Sequence, residues 1–470
     1  MLALLGAIPA GAPPAVPGVH GTPPAGVGLV SAVRQGGSFS RTGKPETSLI
    51  YRAETLDGRV VASRRAARSI NGASLIKIAT SLWAVEKLGP DHRFTTRFEA
   101  AGRLLPGRHL LDGDLLVKGG GDPDFHVENG FMVALALEKQ GIRRVTGRLL
   151  VTPSFWMGWE NGVSVRRGQV ESRGQKMAAR LRFSLDKDLW DQATRDAWTR
   201  FALDHGLEGT PGPRLQVEGK IGLLHSHETG CLLVRHQSRR LKEILRRFNT
   251  WSNNDIQGLE VSLGGADGLA RFLSRRWGLE SAFHLGSLSG LGENRISLEQ
   301  LLRLLRDFRQ TMARHGLDVQ DLLPTAGCGG GTLARFPRLD SGPAATSVVG
   351  KTGTLTSKDG GITLLAGYGR TASGELLFCV AWPGSGRRTR RARRAEEDWV
   401  LSLLERAGGP VGRSCPPPPG RSDQGAFIMV EEGRTLPDAN TGTRLPADEG
   451  VGTSGNGAPF CPGRVPSDGY

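Results

Sequence analysis

The chain has 470 residues, 38% of them hydrophobic and 23% charged, enough for two or three domains with sizeable cores. That balance excludes a wholly disordered chain, and no run approaches the roughly 18 uncharged apolar residues of a membrane-spanning helix. The net charge of +15, with a pI near 10.2, either serves solubility or draws the protein to an anionic partner.

The opening "MLALLGAIPAGAPPA" is like the apolar stretch and small-residue cleavage zone of a secretory signal, without a preceding basic residue. Residues 1–27 are therefore expected to be signal-like or disordered. "SLIYRA" and "RVVASR" flank Asp57-Gly58 and read as a β-hairpin. A helix is expected from near Ser74, with Ile76, Ala79, Thr80 and Trp83 on one face. Between 91 and 215, short strand-like pieces ("RFTTRFEAAG", "GDLLVKGGG", "RRVTGRLLV") alternate with loops and one helix-like run near 131–140, which reads as an insertion. "LKEILRRF" places Leu241, Ile244, Leu245 and Phe248 on one helical face. Ser297 and Gln300 form a capping box at the head of a leucine-rich helix. "TSVVGKTG", "ITLLAGYG" and "ELLFCVAW" read as three strands, followed by a last helix near 395–406. Residues 408–470, with "CPPPPG" and no sustained period, read as a disordered tail. Cys231, Cys328, Cys379, Cys415 and Cys461 show no CxxC or Cys/His spacing, so the pattern argues for neither a zinc site nor a disulfide framework. "HSHETG" at 225–230 has the wrong spacing for a metal motif, and no cofactor is implied.

"SVVGKTGTLT", residues 347–356, contains both a Gly-Lys-Thr and a Lys-Thr-Gly. A phosphate-binding loop ending there needs a glycine where Ala345 stands, and a helix where "GTLTSKDGG" reads as a turn. A serine hydrolase instead needs Ser-x-x-Lys, Ser-x-Asn and Lys-Thr-Gly in that order. Ser74-Leu-Ile-Lys77, Ser252-Asn-Asn254 and Lys351-Thr352-Gly353 supply all three. Lysine one helical turn after serine brings an amine to the hydroxyl, and burial plus a second cation, Lys351, lowers its pKa enough to act as base. Ser252 can relay the proton to the leaving group, and Asn254 can hold a substrate carbonyl and orient Lys77. Lys351 and Thr352 suit a substrate carboxylate. The backbone N–H groups of Ser74 and Thr354 suit an oxyanion.

These segments resemble the class C low-molecular-mass penicillin-binding proteins, the D-alanyl-D-alanine carboxypeptidase/endopeptidases. The likeness spans roughly residues 45–406. It includes "NGASLIKIATSLWAVEKLG", "LDGDLLVKGGGDPDF", "RRLKEILRRFNTWSNND", "LSGLGENRISLEQLL" and "LLPTAGCGGGTLARF". The resemblance implies an α+β fold: a β-lactamase/transpeptidase-like domain, an antiparallel sheet flanked by helices, interrupted by inserted, largely β domains. Its parts would be 28–90 with 216–407 for the catalytic domain and 91–215 for the insertion. It also implies acyl transfer from peptidoglycan stem peptides, acylation by β-lactams and an extracytoplasmic location. Asp122, in "GGGDPDF", falls where some members read an amino group on the stem peptide; a plain turn carboxylate is the other reading. Asn253 stands where Asp is common, and Cys328-Gly329-Gly330 replaces an Asp-containing turn.

A β-lactamase would share Ser74, Lys77 and Lys351, but no E-x-x-L-N run is present to activate a deacylating water. A non-catalytic wall-binding protein could keep the fold, against which the intact motifs argue. "RRTRRARR" at 387–394 raises nucleic-acid binding, but without aromatic interleaving it reads as a solvated face or the loop before the last helix.

Overall fold

The computed structural model describes residues 48–158, 170–225, 228–279, 283–430 and 434–435. The signal-like segment expected at 1–27 lies outside them. Five antiparallel strands form the first sheet, in the order Val348–Leu355, Ile362–Thr371, Gly374–Pro383, Ile50–Thr55, Val60–Arg64. The expected hairpin turns at Gly58, whose φ of +94° suits glycine. Strand Gly374–Pro383 is apolar from Leu376 to Trp382 because both faces are covered there. Leu377, Cys379 and Ala381 enter one core and Leu376, Phe378, Val380 and Trp382 the other.

Helices Ile76–Leu88, Leu241–Trp251, Gly265–Trp277 and Leu298–Arg314 pack on the first face, and helix Thr389–Arg406 covers the second. The Ile76–Leu88 helix is buried on every side from Ile76 to Val85, so it runs through the core rather than over it. The Ser297–Gln300 capping box forms as expected, with Gln300 N–H donating to Ser297 Oγ at 3.2 Å and Ser297 N–H to Gln300 Oε1 at 2.8 Å. The last helix starts within the arginine run rather than after it.

Between the first helix and Leu241 the chain builds seven strands of a second sheet, which Phe427–Val430 and Arg434–Thr435 bring to nine. Its centre is the hairpin of Thr95–Leu105 and Leu110–Lys118, flanked on one side by Cys231–Gln237 and on the other by short parallel strands, Arg144–Val145 and Leu149–Val151. Gln216–Val217 and Ile221–Leu223 continue that parallel side. The sheet therefore extends past residue 215, where the sequence reading ended the insertion. The helix expected near 131–140 is Val127–Lys139, and two more, Val170–Leu185 and Gln192–Asp204, had no legible counterpart.

The expectation of a disordered tail does not hold for residues 408–430. Pro410 bridges Thr371, and Arg239 Nη1 donates to the carbonyls of Gly420 and Arg421 at 2.5 and 2.8 Å. Phe427–Val430 then pairs with Cys231–Gln237 as an added strand of the second sheet. Proline-rich chain lacks a period of its own, but here it is held by partners distant in sequence. One is a disulfide, Cys328–Cys415, with 5.3 Å between Cα atoms and 87 residues of separation. Cys231 is also disulfide-bonded, a pairing for which the cysteine spacing gave no argument. Two paired cysteines on unrelated loops carry no spacing signal, because only folding brings them together. Replacing Cys328 and Cys415 together with serine should lower stability by about 2–4 kcal/mol in denaturant unfolding, since the bond closes a long loop.

Candidate active site

The first motif sits on a strained turn. Ala73 has φ +44°, left-handed for a residue with a Cβ, and costs on the order of 1–2 kcal/mol. Asn71 holds it, its Oδ1 accepting from Ala73 N–H at 3.0 Å while its Nδ2 donates to Gly292 O at 3.0 Å. Gly290 packs on the same turn: a Cβ there would come 1.8 Å from Ala73 O. The turn leaves Ser74 part-exposed between buried Ala73 and Leu75 at the head of the core helix. One helical turn later, Lys77 is 0% exposed and its Nζ lies 3.1 Å from Ser74 Oγ.

Lys77 Nζ has two further partners, Asn254 Oδ1 at 2.9 Å and the Ser289 carbonyl at 2.7 Å. None of the three is a carboxylate. Burial alone pushes its pKa down to about 7. A neutral amine has two N–H groups and one lone pair. The carbonyl oxygens of Asn254 and Ser289 can only accept, so both N–H groups go to them. The lone pair is left for the Ser74 hydroxyl, the direction in which a base must act.

Asn254 arrives through a second left-handed residue. Helix Leu241–Trp251 ends at Ser252 with φ +56°, and Asn253 Oδ1 accepts from Asp255 N–H at 2.8 Å to hold the following turn. This reversal turns Ser252 Oγ to Lys351 Nζ, at 2.9 Å. Lys351 also donates to Thr352 O at 2.9 Å and is 0% exposed. Burial, then repulsion from Lys77 and Arg335, holds its pKa well below that of an ordinary lysine.

Strand Val348–Leu355 is the edge of its sheet. Gly350 N–H donates to Pro324 O at 3.0 Å, away from the neighbouring strand. Backbone groups alternate sides along a strand, so Thr352 and Thr354 turn their N–H groups to this same edge. Gly353 lets the edge approach the serine turn: a Cβ there would lie 3.2 Å from Ala73 Cβ and 2.9 Å from Leu364 Cδ1. Thr354 Oγ1 accepts from Arg393 Nη2 at 3.2 Å.

The structure thus joins Ser74, Lys77 and Asn254 in one cluster and Ser252 with Lys351 in another, and lays Gly353 against the serine turn. Asp122 is bonded to none of them. It is 2% exposed, one oxygen accepts from Asp124 N–H at 2.9 Å, and burial raises its pKa well above the carboxylate range. Sequence reading gave no role to Asn71, Ser289, Gly290 or Arg393. The first three act through a side-chain turn, a carbonyl and a missing Cβ, which leave little trace in one sequence.

A family model described as "D-Ala-D-Ala carboxypeptidase 3 (S13) family" matches residues 44–165 and 212–403. The chain belongs to that family. It is accordingly a hydrolase of the D-alanyl-D-alanine carboxypeptidase type. The unmatched stretch between the two segments holds the helices Val170–Leu185 and Gln192–Asp204. A D-alanyl-D-alanine carboxypeptidase of Actinomadura sp. is 35% identical over 103 residues, which is 22% of this chain and 19% of that protein. The D-alanyl-D-alanine carboxypeptidase DacB of Haemophilus influenzae is 22% identical over 410 residues, covering 68% of this chain and 82% of that one. Among solved structures, the predatory endopeptidase Bd0816 of Bdellovibrio bacteriovorus aligns with a TM-score of 0.67 at 21% identity, covering 80% of this chain and 99% of its own. Penicillin-binding protein 4 of Haemophilus influenzae aligns at 0.52 and 18%, covering 77% and 97%.

Gly290→Ala should cut the rate of penicillin acylation at least about tenfold, measured by stopped-flow labelling. The new Cβ must displace the Ala73 carbonyl that sets Ser74, at a backbone φ of +81° that disfavours alanine.

Proposed function

We propose that Ser74 is the nucleophile of a D-alanyl-D-alanine carboxypeptidase/endopeptidase that acts on peptidoglycan stem peptides through an acyl-serine intermediate. The observation that carries this reading is the buried amine of Lys77, bonded by two carbonyls and aimed at Ser74 Oγ. Lys77 takes the Ser74 proton as Oγ attacks the carbonyl of the penultimate D-alanine. The N–H groups of Ser74 and Thr354 receive the developing oxyanion. As the C–N bond breaks, the proton taken up by Lys77 is relayed through the Ser252 hydroxyl to the leaving amine, which returns Lys77 to its neutral form, and the terminal carboxylate lies at the free strand edge beside Thr352 and Thr354. Water then releases the acyl group, with Lys77 again the base. No E-x-x-L-N run is present to supply a glutamate for the deacylating water, so the acyl-enzyme formed with a β-lactam should persist rather than turn over quickly. A Bdellovibrio relative of this fold has been solved with penicillin G attached, which supports the same reactivity here.

An extracytoplasmic location fits this substrate and the disulfides, since paired cysteines persist in oxidising compartments. The fluorescent-penicillin label should appear on the wild type and vanish in Ser74→Ala, and the wild type should release D-alanine from a stem pentapeptide. Label retained by the Ser74→Ala protein would refute the assignment. Because Lys77 must be neutral to accept the proton, and its pKa lies at about 7, the acylation rate should rise with pH and reach half its plateau near that value. A rate flat from pH 5.5 to about 8.5 would show that Lys77 is not the base.

A further inference from the structure

The arginine run at 387–394 has no part in the chemistry above, yet one member of it reaches the site. Arg388 is spent on the carbonyls of Ser385 and Gly384, and Arg391 lies over the Trp382 ring at 5.9 Å. Arg387, Arg390 and Arg394 are exposed. Arg393 is different. It is half-buried beside the inward face of helix Thr389–Arg406 that carries Ala392 and Glu396, and its Nη2 donates to Thr354 Oγ1 at 3.2 Å.

Arg393 feels repulsion from Arg335 and a weaker attraction from Glu396. Arg335 repels both it and Lys351, and among the described residues no carboxylate forms an ion pair with it. The nearest acid on its helix, Glu396, is buried and pushed up to about 8, so it is largely protonated at neutral pH. Two guanidinium groups, Arg393 and Arg335, are thus electrostatically coupled beside Lys351, and among the described residues no carboxylate pairs with Arg393. Lys351 is poorly placed to bind one from solvent: it is fully buried, already donates to Ser252 and Thr352, and burial favours its neutral form. A guanidinium keeps its charge when half-buried, and only one of its five N–H groups is engaged by Thr354.

Resting on the function proposed above, we propose that Arg393, with Thr354, receives the free carboxylate beyond the scissile bond and sets the preference for substrates that carry it. Thr354 is thus shared: its backbone N–H faces the oxyanion and its hydroxyl links the strand edge to the guanidinium. The arginine run reaches the site because the helix starts early enough to bring its fifth residue level with the strand.

The test compares an N-acylated tripeptide ending in D-Ala-D-Ala with its C-terminal carboxamide. In Arg393→Gln the ratio of kcat/KM for acid over amide should fall about tenfold or more, chiefly through KM for the acid, as loss of a charge-assisted hydrogen bond predicts. Arg393→Lys should restore part of the ratio. Arg394→Gln, an exposed neighbour, should leave the ratio at its wild-type value. An unchanged ratio in Arg393→Gln would overturn the proposal, even if both rates fall, because that pattern reports only a support for Thr354. An equal fall in Arg394→Gln would overturn it too, by assigning the effect to the diffuse charge of the run. A wild-type protein inert toward both peptides and penicillin would remove the underlying function as well, a result that no variant is needed to see.

Discussion

The chemistry proposed for this protein depends on placing the amine of Lys77 inside the hydrophobic core. The helix that carries it is buried from Ile76 to Val85, so the charged form loses its hydration and gains no acid in return. Two carbonyls and one hydroxyl are suited to a neutral amine. A carboxylate at any of those three positions would make Lys77 a stable cation and an inert one. The second buried lysine, Lys351, is itself held below the ordinary lysine range by desolvation and by repulsion from Lys77 and Arg335.

Holding that arrangement requires backbone strain at both ends of the cluster. Ala73 and Ser252 each occupy the left-handed region, one just before Ser74 and one at the hydroxyl bonded to Lys351. Each is fixed by residues from elsewhere: Asn71 and Gly290 brace the first, and the Lys351 amine meets the hydroxyl of the second. Outside the site, the chain after the last helix does not leave the molecule. It is tied to the Cys328 loop by a disulfide and then adds a strand to the inserted sheet, so the segment that looked like a tail joins the two sheets.

Much of this was legible because the informative patterns are local. The amphipathic Leu241–Trp251 helix, the Ser297 capping box and the three closing strands each carry their period in a short window, and all formed. The Ser74–Lys77 pairing was legible for the same reason, since three residues on a helix bring two side chains together. The end of the insertion was not, because Gln216–Val217 and Ile221–Leu223 are two- and three-residue strands with no room for a period. The helices between Val170 and Asp204 lie in a stretch the family pattern does not cover either. The 408–430 segment was misread because proline and glycine remove local period without preventing long-range pairing.

By itself the sequence determined which residue types meet: a hydroxyl, two amines and an amide, in an order and local context that named the reaction class and ruled out a phosphate loop. Only the tertiary structure decided their states and neighbours. Protonation depends on how completely Lys77 and Lys351 are shielded from water, and shielding is a property of the packed core rather than of any segment. The Cys328–Cys415 bond, the Ser289 carbonyl on Lys77 and the reach of Arg393 to Thr354 likewise depend on separations in space, which no spacing along the chain encodes.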